Sequence, residues 1–271
     1  MSGRFFSVFA STALVVGCSS CGRAPRPEGG SGGSEGAELV LYCGAGIRPA
    51  ATALITAFET RNPVKVSATY AGSGRLIGQL SSSRRGDLFM PGAEYYVDKM
   101  IERGLARADT KRTVARFVPV IFVGKGNPRS VASLADFTRK DIRAGLGDER
   151  VVAIGRRSRR LFEKNGIPYD SVLDSTVYTS GTVNELGVAV EMRSVDATIV
   201  WDAVARRFAG DIVEIPPEEN IVSDIAIAVL SFSRRGEAAE RFIDFAASDE
   251  GRRIFREHGY TVGPPVGKGR E

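Results

Sequence analysis

From Leu39 onward, short apolar runs of strand length alternate with stretches of helical period, which leaves the chain few ways to fold. LVLY at 39–42 precedes a helical pattern from about Pro49 to Arg61, and VKVSATY at 64–70 precedes another from about Arg75. DLFM at 87–90 then precedes a third, carrying Tyr96, Met100 and Leu105. Strands joined through helices pair in parallel, because a parallel partner cannot be reached by a tight turn. The pattern predicts an α/β fold of mostly parallel sheets flanked by helices.

The pattern changes at VARFVPVIFVGKGNP, 114–128, which reads as one long strand ending in a Gly-Asn-Pro turn. A strand of that length suits a segment passing between domains. A second α/β set follows: IRAGLGD, a helix from about Gly155 to Asn165, STVYT, a helix from about Val183 to Arg193, and DATIVWD. Beyond Pro216-Pro217 come DIAIAVL and two amphipathic helices, Glu237 to Ala247 and Glu250 to Glu257, the second stopping at Gly259, where a left-handed cap is expected. An inserted second domain explains both the long strand and the late return to strand and helix. The expected division is 39–119 for the first part of lobe I, 120–221 for lobe II, 222–262 for the return to lobe I, and 263–271 for a tail. A chain of 271 residues has room for two such bodies.

Ahead of Leu39 the chain reads differently. Arg4 is followed by an apolar stretch from Phe5 to Val16, then Gly17 and Cys18. That stretch is too short to span a membrane as a mature helix, and it reads as an export signal over 1–18. Val15-Val16-Gly17-Cys18 looks like a bacterial lipobox, which makes Cys18 the lipidated first residue of the mature protein. Two or more acyl chains, at about 0.8 kcal/mol per buried methylene, hold such a protein on the membrane. Residues 19–38, with Pro25, Pro27 and the run from Gly29 to Ser34, have the composition of a flexible tether. The expected location is the periplasm or outer surface, anchored as a lipoprotein. Of the three cysteines only Cys43 falls in the folded part, so no internal disulfide is possible there.

The net charge of +5 is spread among interleaved acids and bases, and no block of like charge exceeds Arg156-Arg157 plus Arg159-Arg160. A solvated basic face follows, with no nucleic acid among the partners. CGAG after the first strand fails as a dinucleotide loop because Pro49 stands where the third glycine belongs. Cys43 reads as a small buried thiol, and Arg85-Gly86-Asp87 as the entry to a strand. His258, the only histidine, sits at a helix C-terminus with no Ser or Cys nucleophile at a recognisable elbow. Catalytic triads and histidine-rich metal sites are not expected, nor is a resident cofactor or an enzyme activity.

The segments LVLYCGAGIRPA, YAGSGRL, RGDLFMPG, VGKGNP, GLGDERVVAIGR, TVNELGVAVEMRSVDATIVWDA and FIDFAASDEGRRIFREHGY are weak singly. In this order and spacing, from Leu39 to Val262, the chain resembles the molybdate- and tungstate-binding receptors of ABC importers, within the type II periplasmic binding proteins. The resemblance implies two lobes, each a sheet flanked by helices, with a ligand cleft between them and a hinge of crossing strands. It implies a monomer that passes a small oxyanion, molybdate or tungstate foremost, to a membrane permease and ATPase. Helix N-termini and neutral donors would hold the anion, as backbone N–H groups and helix dipoles can. Gly72-Ser73-Gly74 at a helix mouth fits that role, and Ser73 matches one of the family's two serines. Gly46 stands where the other belongs, so one hydroxyl is missing. The two backbone donors fall on Ile154 and Val183, and the family's tyrosine falls on Trp201, whose indole donates one hydrogen bond and accepts none. Arg48, two residues past Gly46, is either the replacement donor or a solvated first-turn arginine. Asp202 and Glu185 flank the cleft segments and are either ligands of a metal centre, as in related tungstate receptors, or caps and hinge partners. Another tetrahedral oxyanion or a chelated metal is the alternative ligand, and an enzyme on this scaffold the rival function.

Overall fold

The computed structural model describes residues 38–263; Cys18, the signal, all of the tether before Glu38 and the tail from 264 lie outside the described residues. β1 (Glu38–Gly44) leads to α1 (Arg48–Glu59), β2 (Lys65–Ala71) to α2 (Ser73–Ser83), and β3 (Leu88–Met90) to α3 (Glu94–Glu102). In register, Gly44 lies opposite Ala71 and Cys43 opposite Met90, so the loops leaving these parallel strands open at one level. β4 (Arg112–Phe117) closes this side, and after the single residue Val118 the chain enters β5 (Pro119–Val123) of a different sheet. The apolar run read as one long strand is therefore two strands joined at a crossing. Pro119 sits at the first position of its strand, where a missing N–H is tolerated.

The second sheet takes β6 (Ala144–Gly147), α4 (Ala153–Lys164), α5 (Tyr169–Ser175), β7 (Thr176–Ser180), α6 (Val183–Glu191), β8 (Ala197–Trp201), α7 (Asp202–Ala205) and β9 (Asp211–Glu214). The chain then returns to the first sheet as β10 (Ser223–Val229), followed by α8 (Gly236–Ala247) and α9 (Asp249–Glu257). The strand orders are β2-β1-β3-β10-β4 and β7-β6-β8-β5-β9. Each sheet is mixed rather than mostly parallel, with parallel pairs on one side and antiparallel pairs around β10 and β5. The crossing explains this: a strand that arrives from the other lobe enters its new sheet running against the strands already there.

Gly259 has φ 83°, the left-handed cap expected of it. Tyr260 N–H returns to Phe255 C=O and Gly259 N–H to Arg256 C=O, the paired bonds of a Schellman stop. That stop turns the buried Tyr260 ring under the loop after β1, where its hydroxyl donates to Gly46 C=O at 2.6 Å. In open α/β sheets ligands bind beyond the carboxyl ends of the strands. Here the carboxyl ends of β1, β2 and β3 face those of β6, β7 and β8 across the line of the crossing.

Candidate functional site

A cavity of about 20 Å³ lies between those strand ends. Its first wall is Gly44, Ala45, Gly46, Ala71, Gly72, Ser73, Gly92 and Phe117; the second is Val152, Ala153, Val183 and Trp201. No lining residue is charged. One water needs roughly 10–15 Å³ on this scale, and organic ligands of drug size occupy roughly 300–1,000 Å³. A guest of a few heavy atoms is what the space fits.

Polarity comes from the backbone. Helices α2, α4 and α6 begin at Ser73, Ala153 and Val183, all three at the cavity wall. The first N–H groups of a helix have no intrahelical acceptor, and the aligned peptide dipoles place about half a positive charge there. Three such ends around one small space favour an anion. Ser73 is buried, and its Oγ accepts from Gly92 N–H at 3.0 Å, which leaves the hydroxyl proton free to donate. Trp201 is stacked on Phe117 with centroids 4.8 Å apart, and among the described residues its indole N–H has no protein partner. The same ring system extends to Tyr260, 5.2 Å from Phe117.

Four residues singled out in the sequence therefore meet at the cavity: Gly46, Ser73, Val183 and Trp201. Ile154 lies one residue inside α4, its side chain fully buried, while Val152 and Ala153 form the wall. Arg48 is exposed and lies outside the lining, its guanidinium 4.7 Å above the Tyr70 ring. Gly46 is tightly fitted: a Cβ there would lie 3.0 Å from Val183 Cγ1, 3.3 Å from Val204 Cγ2 and 3.4 Å from Phe117 Cζ, so a serine would require these side chains to give by a few tenths of an ångström. Apolar side chains crowd the position from which the missing hydroxyl would extend. Phe117, Gly92 and Tyr260 were not singled out, since an aromatic residue at a strand end looks like core until the crossing is known.

The carboxylates point elsewhere. Glu185 closes a capping box on α6, accepting from Gly181 N–H at 2.9 Å and Thr182 N–H at 3.3 Å. Asp202 Oδ1 accepts from Val118 N–H at 3.1 Å, and its own N–H donates to Val118 C=O at 2.8 Å, so it clamps the crossing residue. Burial pushes the Asp202 carboxyl upward, and the backbone donors of Val118 and Ala203 pull the other way. Cys43 is fully buried and burial drives its thiol well above the ordinary range, which suits an inert space-filler. Among the described residues no group of three or more His, Cys, Asp or Glu is placed to hold a metal ion.

Across the cavity the two walls touch. Gly74 N–H donates to Val151 C=O at 2.8 Å, and a Cβ on Gly74 would lie 2.1 Å from Arg150 C=O. Gly72 is equally tight, its Cβ position 2.7 Å from the carbonyls of both Gly181 and Val151. Asn184 Nδ2 donates to Ala45 C=O at 3.2 Å and Arg156 lies 3.9 Å over the Tyr95 ring. Only glycine at 72 and 74 permits this approach.

Comparison with known proteins agrees with this geometry. A putative binding protein of Haemophilus influenzae is 28% identical over 228 residues, covering 83% of this chain and 91% of that protein. The molybdate-binding protein ModA of Mycobacterium tuberculosis is 28% identical over 255 residues, 93% of this chain and 95% of its own. Among solved structures, the sulfate-binding protein SubI of M. tuberculosis superposes with a TM-score of 0.73 at 19% identity, covering 86% of this chain and 88% of that one. The fold is that of the two-lobed periplasmic binding proteins, and the relatives are binding proteins, not enzymes. From residue 39 to residue 261 the chain matches the model of the bacterial extracellular solute-binding proteins, and it belongs to that family of receptors that bind a solute outside the cytoplasm.

Proposed function

We propose that this receptor captures a small, fully deprotonated oxyanion, molybdate or tungstate first, and delivers it to the permease and ATPase of an ABC importer. The observation that carries this reading is the cavity: about 20 Å³, walled by uncharged residues, with three helix N-termini at its edge. Convergent N–H groups and dipoles stabilise a dianion without a counter-charge, and a guest of this size has no room for an organic body. The molybdate-binding relatives support the choice of ligand. The absence of a carboxylate from the lining supports it further. Phosphate at neutral pH carries at least one proton, and with no carboxylate in the wall to accept from it a hydroxyl left unpaired there would cost about 1–3 kcal/mol.

Calorimetric titration of the purified protein with molybdate, tungstate, sulfate and phosphate tests the reading. Molybdate or tungstate is expected to bind at least about ten-fold tighter than phosphate, the ratio that roughly 1.4 kcal/mol gives. Tighter phosphate binding would overturn the ligand assignment, and tighter sulfate binding would move it to another tetrahedral oxyanion. Lipid anchoring at Cys18 is part of the proposal and rests on the sequence from Arg4 to Cys18. Cys18→Ala is expected to leave the protein out of the detergent phase; unchanged partitioning would rule the anchor out.

A further inference from the structure

A larger space adjoins the cavity. About 550 Å³ opens between α3 and α4, and Tyr95, Tyr96, Arg156 and Arg160 line both it and a smaller pocket that reaches Ala153. Ala153 also walls the oxyanion cavity, so the two regions meet at the first residue of α4. The charges of this groove do not cancel. Arg159 is engaged by Glu149 and Glu163, and Arg150 by Asp148. On the facing helix Glu94 and Asp98 both hold Lys111. Arg156, Arg157 and Arg160 have no carboxylate partner among the described residues: Arg156 lies over Tyr95, Arg157 donates to Ser223 Oγ at 3.0 Å, and Arg160 has no ion pair.

We propose that this arginine groove is the anion's approach to the cavity, and that Arg156, Arg157 and Arg160 draw a dianion toward the mouth of α4 and set its association rate. The inference rests on the oxyanion reading above and adds a division of labour to it. Guanidinium groups beside a cleft, here Arg156 and Arg157 half-buried and Arg160 exposed, focus field into it and raise the local concentration of a dianion, which speeds encounter by about 10- to 1,000-fold in known cases. The cavity itself holds no cation, so attraction and final binding fall to different residues. A fixed cation inside the cavity would slow release; cations kept outside hasten capture without that penalty.

Stopped-flow mixing with molybdate, read by the fluorescence of Trp201, the only tryptophan, tests this on the full chain. Arg156→Gln with Arg160→Gln is expected to lower the association rate roughly 3- to 10-fold at low salt. The dissociation rate of Arg160→Gln alone should stay as it was, since Arg156 and not Arg160 stacks on Tyr95. Wild type and variant should converge near 0.5 M salt, where the screening length falls to about 3–5 Å, and Arg156→Lys with Arg160→Lys should keep the wild-type rate. Unchanged association in the Gln variant overturns the inference. So does a defect that persists at high salt or is confined to dissociation, which would leave Arg156 only a fastener between the lobes through Tyr95. If calorimetry detects no binding of molybdate, tungstate or sulfate, the oxyanion reading falls and this inference with it; if they bind at a rate indifferent to the arginines, only the inference falls.

Discussion

Ser73 does two things at once, and its substitution separates them. Its Oγ accepts from Gly92 N–H while its proton is free for the guest. Ser73→Ala is expected to weaken molybdate by about 1.5–3 kcal/mol, or about ten- to a hundred-fold. It should also cost about 1 kcal/mol of ligand-free stability from the orphaned Gly92 N–H. Titration reads the first and denaturant unfolding the second. Gly46 makes the opposite case. Restoring the family's serine crowds Val183, Val204 and Phe117, which would lie 3.0–3.4 Å from its Cβ. Gly46→Ser is expected to destabilise the protein by roughly 1–3 kcal/mol through overpacking and to weaken binding; tighter binding would mean that the wall yields. At this scale the family resemblance pointed to Ser73 and Trp201, and both line the cavity. The sequence was silent where packing decides, as with Arg48, whose guanidinium found an aromatic face instead of the cleft.

The elements that matter most are the ones that change sheets. β4 and β5 were readable as one long apolar run, but the break at Val118 was not, because both halves share the same composition. Asp202 at the head of α7 holds that break by accepting from Val118 N–H. Asp202→Ala leaves the N–H unpaired and is expected to cost about 1–3 kcal/mol. Asp202→Asn keeps an acceptor and removes the charge. Since burial raises the folded-state pKa of Asp202, the folded protein binds more protons than the unfolded chain between the ordinary Asp value, about 3.9, and the raised one. Wild-type stability therefore carries a contribution that falls as pH rises through that window, and Asp202→Asn lacks it. Unfolding curves of the two proteins should diverge most above the window, with the Asn variant gaining relative to wild type. A difference independent of pH would exclude the charge as the cause.

At the scale of the molecule, the α/β alternation and the inserted second sheet were legible from hydrophobic period alone, and the Gly259 stop was legible from one residue. The convergence of three helix N-termini was expected from the family resemblance and not from hydrophobic period, because it depends on register: Gly44 opposite Ala71 in one sheet and Gly147 opposite Ser180 in the other bring the loop mouths level. The lobes touch through Gly72 and Gly74, and a Cβ at Gly74 would overlap Arg150 C=O. Gly74→Ala should therefore leave each lobe intact, prevent their contact over the cavity, and weaken molybdate at least about ten-fold, since the binding-competent state becomes a minor one. Solution X-ray scattering of wild type and Gly74→Ala, with and without saturating molybdate, tests capture by closure most directly. Wild type should show a smaller radius of gyration on adding molybdate, and the variant no change. A wild type that does not compact at saturation, or a variant that compacts equally, would contradict capture by closure.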